Sequence, residues 1–116
     1  MGNLQEVIIE AIQDKKGRDI VSLDLSGVDG AICDTFVLCS ADSTTQVAAI
    51  SDNIEKEAEE KLNERPYRIE GKDNSFWVVL DYGTLVAHVF LSEYRDFYAL
   101  DELWSDVPAT NYRSFE

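Results

Sequence analysis

Alternating apolar and polar residues over residues 76–91 predict a β-hairpin. Two runs rich in β-branched and aromatic residues flank Asp81-Tyr82-Gly83-Thr84, which is typical of a turn. A four-residue turn places Trp77 opposite His88. One face of the hairpin is then apolar throughout and requires a covering layer of helices. The other face combines aromatic rings with polar groups, as recognition surfaces do, and comprises Trp77, Val79, Asp81, Thr84, Val86, His88 and Phe90.

Two helices are predicted before the hairpin. In the first, apolar residues recur at helical spacing from Leu4 to Ile12, after Asn3 as the N-cap and before Gly17 as the stop. The second opens with a capping box at Ser43 and ends before Pro66, because the residue preceding a proline disfavours helical geometry. Its buried stripe consists of Val47, Ile50, Ile54, Ala58 and Leu62.

The remaining segments complete the predicted fold. Strands are predicted at 19–25, 32–41 and 67–70, and a short helix follows the hairpin from Ser92. We therefore expect an α+β sandwich (α/β-like), in which two main helices and the short C-terminal helix pack on a mixed five-stranded sheet. Residues 1–106 form a single domain in this interpretation, and the polar residues 107–116 form a flexible C-terminal tail.

The charge of the chain limits its partners. Among 116 residues, 23 are acidic and 10 are basic, so the formal net charge is −13. This acidity argues against direct sequence-specific nucleic-acid binding and against an anionic membrane surface, and it favours a basic protein partner. Solubility alone would explain the acidity equally well. No apolar run approaches the roughly 18 residues of a membrane span.

The two cysteines do not predict a disulfide. Cys33 and Cys39 lie six residues apart in one predicted strand, which separates their Cα atoms by roughly 20 Å. A disulfide requires less than about 7 Å. We interpret both as small buried residues of a cytoplasmic protein. The same spacing is wrong for a zinc site, so no metal is expected.

The hairpin and the residues after it resemble the Iojap family, the ribosomal silencing factors. The matching residues are Asp81-Tyr82-Gly83, Val86, His88-Val89-Phe90, Arg95, Phe97-Tyr98, Leu100 and Leu103-Trp104. Asp34-Thr35-Phe36-Val37 also match, and the similarity extends over residues 3–106. The sequence departs from the family pattern at Asp101, where Glu is usual, and at Thr84, where an acidic residue is common.

The resemblance implies a translation repressor. Members of the family bind the large ribosomal subunit through large-subunit ribosomal protein fourteen and sterically block the small subunit. We expect the contact to involve Trp77, Asp81, Tyr82, His88, Phe90, Arg95, Tyr98, Leu100 and Trp104, some of which would support the surface from the core. Arg95 could instead pair with Asp81 or Asp96. A homodimer through the same surface is left open.

The family also implies a core fold shared with nucleotidyltransferases, so nucleotide binding by a degenerate enzyme is the alternative function. Such enzymes hold magnesium with an Asp-x-Asp pair on a strand. This chain has no Asp-x-Asp, and Glu55, Glu57 and Glu59 lie on a predicted helix, where residues two apart diverge. His88 is the only histidine, and a lone strand histidine is usually structural. We therefore expect neither an enzyme nor a cofactor.

Overall fold

The structure, a computed structural model, describes residues 3–31, 33–98 and 106–114. Its helices and strands are numbered in chain order. They are α1 (Leu4–Asp14), β1 (Arg18–Asp24), β2 (Thr35–Ala41), α2 (Thr44–Leu62), β3 (Arg68–Glu70), β4 (Trp77–Asp81), β5 (Leu85–Leu91), α3 (Ser92–Tyr98) and β6 (Ala109–Tyr112). Across the described residues, no helix is long and apolar enough to cross a membrane.

The predicted helix starts are confirmed by their capping contacts. The side chain of Asn3 accepts a hydrogen bond from the Glu6 backbone N–H at 2.9 Å, and Ser43 does the same for Gln46 at 3.1 Å. Each cap satisfies a backbone donor that has no partner within its helix. At the end of α2, Asn63 adopts the left-handed conformation (φ 55°) and stops the helix before the proline.

The strands form one mixed sheet in the order β3-β4-β5-β2-β1-β6. Strands β2 and β5 are parallel, and every other neighbouring pair is antiparallel. The sheet has six strands because Ala109–Tyr112, which sequence analysis placed in a flexible tail, pairs with β1. The hydroxyl of Tyr112 fixes this strand, accepting from Gln5 Nε2 at 2.9 Å and lying 3.0 Å from Ser22 Oγ.

The β4–β5 hairpin is confirmed, but its register is shifted from the predicted one. Only Gly83 and Thr84 form the loop, since the Tyr82 backbone N–H donates to the Leu85 carbonyl at 2.9 Å and Gly83 has φ 89°. Trp77 consequently lies opposite Phe90, not His88. A shift of two residues leaves every side chain on its predicted face.

Both faces of the sheet are largely buried. On one, α1 and α2 cover a core that includes the fully buried Ile8, Ile50 and Val89. On the other, Phe36, Leu38 and Phe90 belong to a second buried cluster. The prediction that the whole second face of the hairpin is a recognition surface is therefore wrong for β5, whose residues on that face are buried.

Candidate functional site

One exposed part of the second sheet face lies on β3 and β4. Cross-strand partners share a face, and Arg68 pairs with Asp81 while Glu70 pairs with Val79. Arg68 and Glu70 are exposed, whereas Trp77, Val79 and Asp81 are partly exposed. We call these five residues the β3–β4 surface. It combines a large aromatic ring with charges of both signs, which suits contact with another protein.

Trp77 is hydrogen-bonded to His88, a buried residue of the neighbouring strand β5. Its indole Nε1–H donates to His88 Nδ1 at 3.1 Å. Because an indole nitrogen can only donate, His88 must be neutral with its own proton on Nε2. Burial lowers the pKa of His88 to about 4, which keeps the ring neutral near pH 7. The predicted proximity of His88 to Trp77 is confirmed, although the two are diagonal neighbours and not a direct pair.

Aromatic rings surround this hydrogen bond. Trp77 stacks on Phe90 with ring centroids 5.1 Å apart, and Phe36 meets the His88 ring edge-to-face at 4.8 Å. His88 is only 7% exposed. Its Nε2 is buried and, among the described residues, has no hydrogen-bond partner. The cluster therefore encloses one polar ring, that of His88, among aromatic rings next to Trp77.

Asp81 lies at the end of β4, beside the hairpin loop. One carboxylate oxygen accepts the Gly83 backbone N–H at 2.8 Å, and the other lies 3.9 Å from the guanidinium of Arg68. The side chains of Arg68 and Asp81 are 68% and 30% exposed. An ion pair with such exposure contributes less than about 1 kcal/mol. Asp81 can therefore exchange Arg68 for a cationic group of a partner at little cost.

Tyr82 and Phe90, both predicted as contact residues, are buried. Tyr82 belongs to the core beneath the helices and is 5% exposed. Burial, assisted by the nearby charges of Glu55 and Glu64, raises the pKa of its hydroxyl, which has no hydrogen-bond partner among the described residues. Phe90 is fully buried under Trp77. These positions favour a supporting role for both residues.

Arg95 is also buried, at 9% exposed. Its Nη1 donates to the carbonyl oxygen of Asp19 at 2.5 Å and to Ser40 Oγ at 2.9 Å. Asp19 has φ 51° and lies where the β1–β2 register shifts. The guanidinium thus connects α3 to an irregular part of β1, which favours a structural role over the predicted surface contact.

The remaining predicted site residues lie outside the part of the chain that the structure describes. Leu100 and Trp104 lie outside the described residues, as does the side chain of Tyr98. Conversely, Arg68 and Glu70 were not among the contacts predicted from the sequence. Their proximity to Trp77 and Asp81 depends on the pairing of β3 with β4, and a three-residue strand carries too little pattern to fix a partner or register.

Two observations on the described residues bear on catalytic chemistry. No group of three or more His, Cys, Asp or Glu side chains within 3–31, 33–98 and 106–114 could hold a metal ion. Cys33 and Cys39 are free and buried, as predicted. Burial raises the pKa of Cys39 to about 12, so this thiol is not a thiolate nucleophile near neutral pH.

Comparison with known proteins identifies the family. Residues 2–116 match the family model described as "Ribosomal silencing factor during starvation". The chain belongs to this family. It is 37% identical to ribosomal silencing factor RsfS of Halalkalibacterium halodurans over 105 residues, which cover 90% of this chain and 88% of that one. The resemblance drawn from the sequence is thereby confirmed.

Two further relatives extend the comparison. A solved structure from Chromobacterium violaceum is 29% identical and has a TM-score of 0.83, with 96% of this chain and 91% of that chain covered. The mouse protein named "Mitochondrial assembly of ribosomal large subunit protein 1" is 30% identical over 86% of this chain and 44% of its own length. The family is one of silencing factors and not of known enzymes, and its function is ribosome-associated regulation of translation.

Proposed function

We propose that the protein binds the large ribosomal subunit through large-subunit ribosomal protein fourteen and sterically blocks joining of the small subunit. The β3–β4 surface is the observation that carries this proposal, because it presents Trp77 and the carboxylate of Asp81 on the same partly exposed face of β4. Membership of the silencing-factor family supports a ribosomal partner. The name of the mouse relative refers to the large subunit, which favours that subunit over the small one.

The physical requirements of this function are modest. A steric block needs no chemical step, only sufficient affinity and a bulky domain at the joining surface. Partly exposed tryptophan is among the residues that most often dominate binding energy. The net charge of −13 would accelerate encounter with a basic ribosomal protein, while the local charge of Asp81 would guide the final orientation.

The nine predicted site residues divide into two groups in this proposal. Trp77 and Asp81 contact the partner directly, together with Tyr98, Leu100 and Trp104 of the family motif. Tyr82, His88, Phe90 and Arg95 hold the contact residues in place from the interior, in keeping with their burial. Arg68 and Glu70 add a charged margin on β3. A homodimer through the same surface would compete with the ribosome.

The proposal describes a binding protein of the cytoplasm that acts without catalysis, metal or cofactor. The described surface supports it because its exposed groups suit contact with a protein, whereas a nucleotidyltransferase needs paired carboxylates positioned to hold magnesium. A magnesium-dependent nucleotide-binding assay separates the two functions. Saturable nucleotide binding would favour the enzyme-like alternative.

Sedimentation with isolated ribosomal subunits tests the proposal. The wild-type protein should migrate with the large subunit and not with the small one. Trp77→Ala and Asp81→Lys should each weaken that binding by about tenfold or more. Glu60→Lys is the matched control for charge, because Glu60 is an exposed residue of α2, on the opposite side of the sheet. Absence of binding at micromolar protein would refute the proposal.

A further inference from the structure

We infer that His88 is a positioning residue for Trp77, which it orients so that a carbon edge of the indole, and not its N–H, faces the partner. This inference rests on the proposed function, because it assigns the chemistry of one contact within the β3–β4 surface. It also predicts the partner group: an aliphatic or aromatic side chain, and not a hydrogen-bond acceptor, packs on Trp77.

The direction of the hydrogen bond determines this orientation. Trp77 Nε1 lies 3.1 Å from His88 Nδ1, and His88 is 7% exposed. The N–H edge of the indole therefore points toward the interior. Trp77 is nevertheless partly exposed, so the solvent-accessible part of its ring consists mainly of carbon atoms. A group that contacts this part gains from burial of apolar surface.

Packing prevents His88 from leaving this geometry. Phe36 meets the imidazole edge-to-face at 4.8 Å, and Phe90 lies stacked at 6.1 Å from it. Phe90 also stacks on the indole at 5.1 Å. Both partners of the hydrogen bond thus share one immobilised aromatic neighbour. A contact residue fixed in this way loses less conformational entropy when the partner binds.

The tautomer of His88 contributes to its positioning role. With Nδ1 accepting, the proton resides on Nε2, which is buried without a partner among the described residues. An unpaired buried donor is costly, so the site maintains this arrangement at the expense of stability. Burial also lowers the pKa of His88, and the imidazole consequently remains an acceptor near neutral pH.

Nitrogen NMR of the free protein tests the geometry. Because His88 is the only histidine, its ring signals need no further assignment, and a Trp104→Phe variant distinguishes the two indoles. A through-hydrogen-bond coupling between Trp77 Nε1 and His88 Nδ1, with the Nε2–H tautomer, is expected. Absence of the coupling together with the opposite tautomer would overturn the inference.

Binding to the large subunit tests the role. His88→Asn keeps an acceptor near the position of Nδ1, whereas His88→Leu removes it. We expect His88→Leu to weaken binding by about tenfold or more and His88→Asn to restore affinity to within about threefold of wild type. Thermal unfolding identifies variants that are folded. If His88→Leu does not fold, His88→Gln replaces it, since its longer side chain carries the amide away from the position of Nδ1 and should also weaken binding relative to His88→Asn.

Failure of the inference about His88 can be distinguished from failure of the proposed function. Folded His88→Leu that binds as tightly as wild type would overturn the positioning role while leaving the proposed function intact. If the wild-type protein itself does not bind the large subunit, the proposed function fails, and the role of His88 fails with it. The NMR coupling would then describe only a feature of the core.

Discussion

Gly71 lies directly against the carbonyl oxygen of Trp77. A Cβ atom placed on Gly71 would be 1.9 Å from that oxygen, and Gly71 has φ 90°, a conformation that disfavours other residues. The backbone before β4 thus passes too close to the strand to allow a side chain. This contact fixes the start of β4, where Trp77 joins the candidate surface.

Gly71→Ala should therefore destabilise the protein and disturb Trp77 together. We expect the free energy of unfolding to fall by about 2 kcal/mol or more, with weaker binding to the large subunit. Urea unfolding measures the stability change. Gly27→Ala is the control, because a Cβ there meets no heavy atom within 4 Å and its φ lies outside the positive range. A Gly71→Ala protein as stable as the control would contradict the prediction.

Replacement of Arg95 should act mainly on the stability of the fold and not directly on binding. Arg95→Met leaves the Asp19 carbonyl and the Ser40 hydroxyl without their guanidinium donor, so we expect a loss of about 2–3 kcal/mol in the free energy of unfolding. Arg65→Met is the matched control, since Arg65 forms an exposed ion pair with Glu59 and should cost less than about 1 kcal/mol. Equal effects at both positions would refute the structural role of Arg95.

The hydroxyl of Tyr112 should stabilise the C-terminal strand. Tyr112→Phe removes the group shared by Gln5 and Ser22, and about 1 kcal/mol of stability should be lost. Tyr67→Phe serves as the comparison, because Tyr67 is 83% exposed and its change should stay within about 0.5 kcal/mol. Hydrogen exchange of the β6 amides gives a second readout, which should accelerate only in Tyr112→Phe.

Acid should weaken the fold through His88. Its pKa is lowered from 6.5 to about 4 in the folded protein, so the unfolded chain binds the extra proton first as pH falls. The stabilisation is complete above pH 6.5 and is lost between 6.5 and about 4, amounting to about 3 kcal/mol. His88→Asn lacks this titration but retains the acidic residues. Wild type should therefore lose more stability than His88→Asn between about pH 7.5 and pH 5. Parallel pH profiles would contradict this.

Local signals in the sequence were sufficient to predict the helices and to assign residues to the two faces of the hairpin. Capping residues at Asn3 and Ser43 fix helix starts through contacts three residues away, and strand alternation survives a two-residue change of register. The register itself was missed because the turn could close around either four residues or the two-residue loop of Gly83 and Thr84. That choice depends on the backbone geometry of Gly83, not on hydrophobic pattern.

The sequence was less informative wherever partners come from distant segments. Strand β6 follows Pro108 and is polar, so its structure depends on its pairing with β1 and on contacts such as those of Tyr112. The aromatic residues of β5 resembled a recognition surface because the sequence does not reveal the second buried cluster around Phe36 and Phe90. Of the candidate site, Trp77 and Asp81 were predicted, whereas Arg68 and Glu70 required the fold.

Subunit joining, followed by light scattering, tests the central claim most directly. Large subunits are incubated with the protein before small subunits are added. Wild type at saturation should prevent joining, whereas Trp77→Ala and Asp81→Lys should restore it and Glu60→Lys should inhibit as wild type does. Protein that occupies the large subunit fully, as judged by sedimentation, yet leaves the rate and extent of joining unchanged would contradict the account.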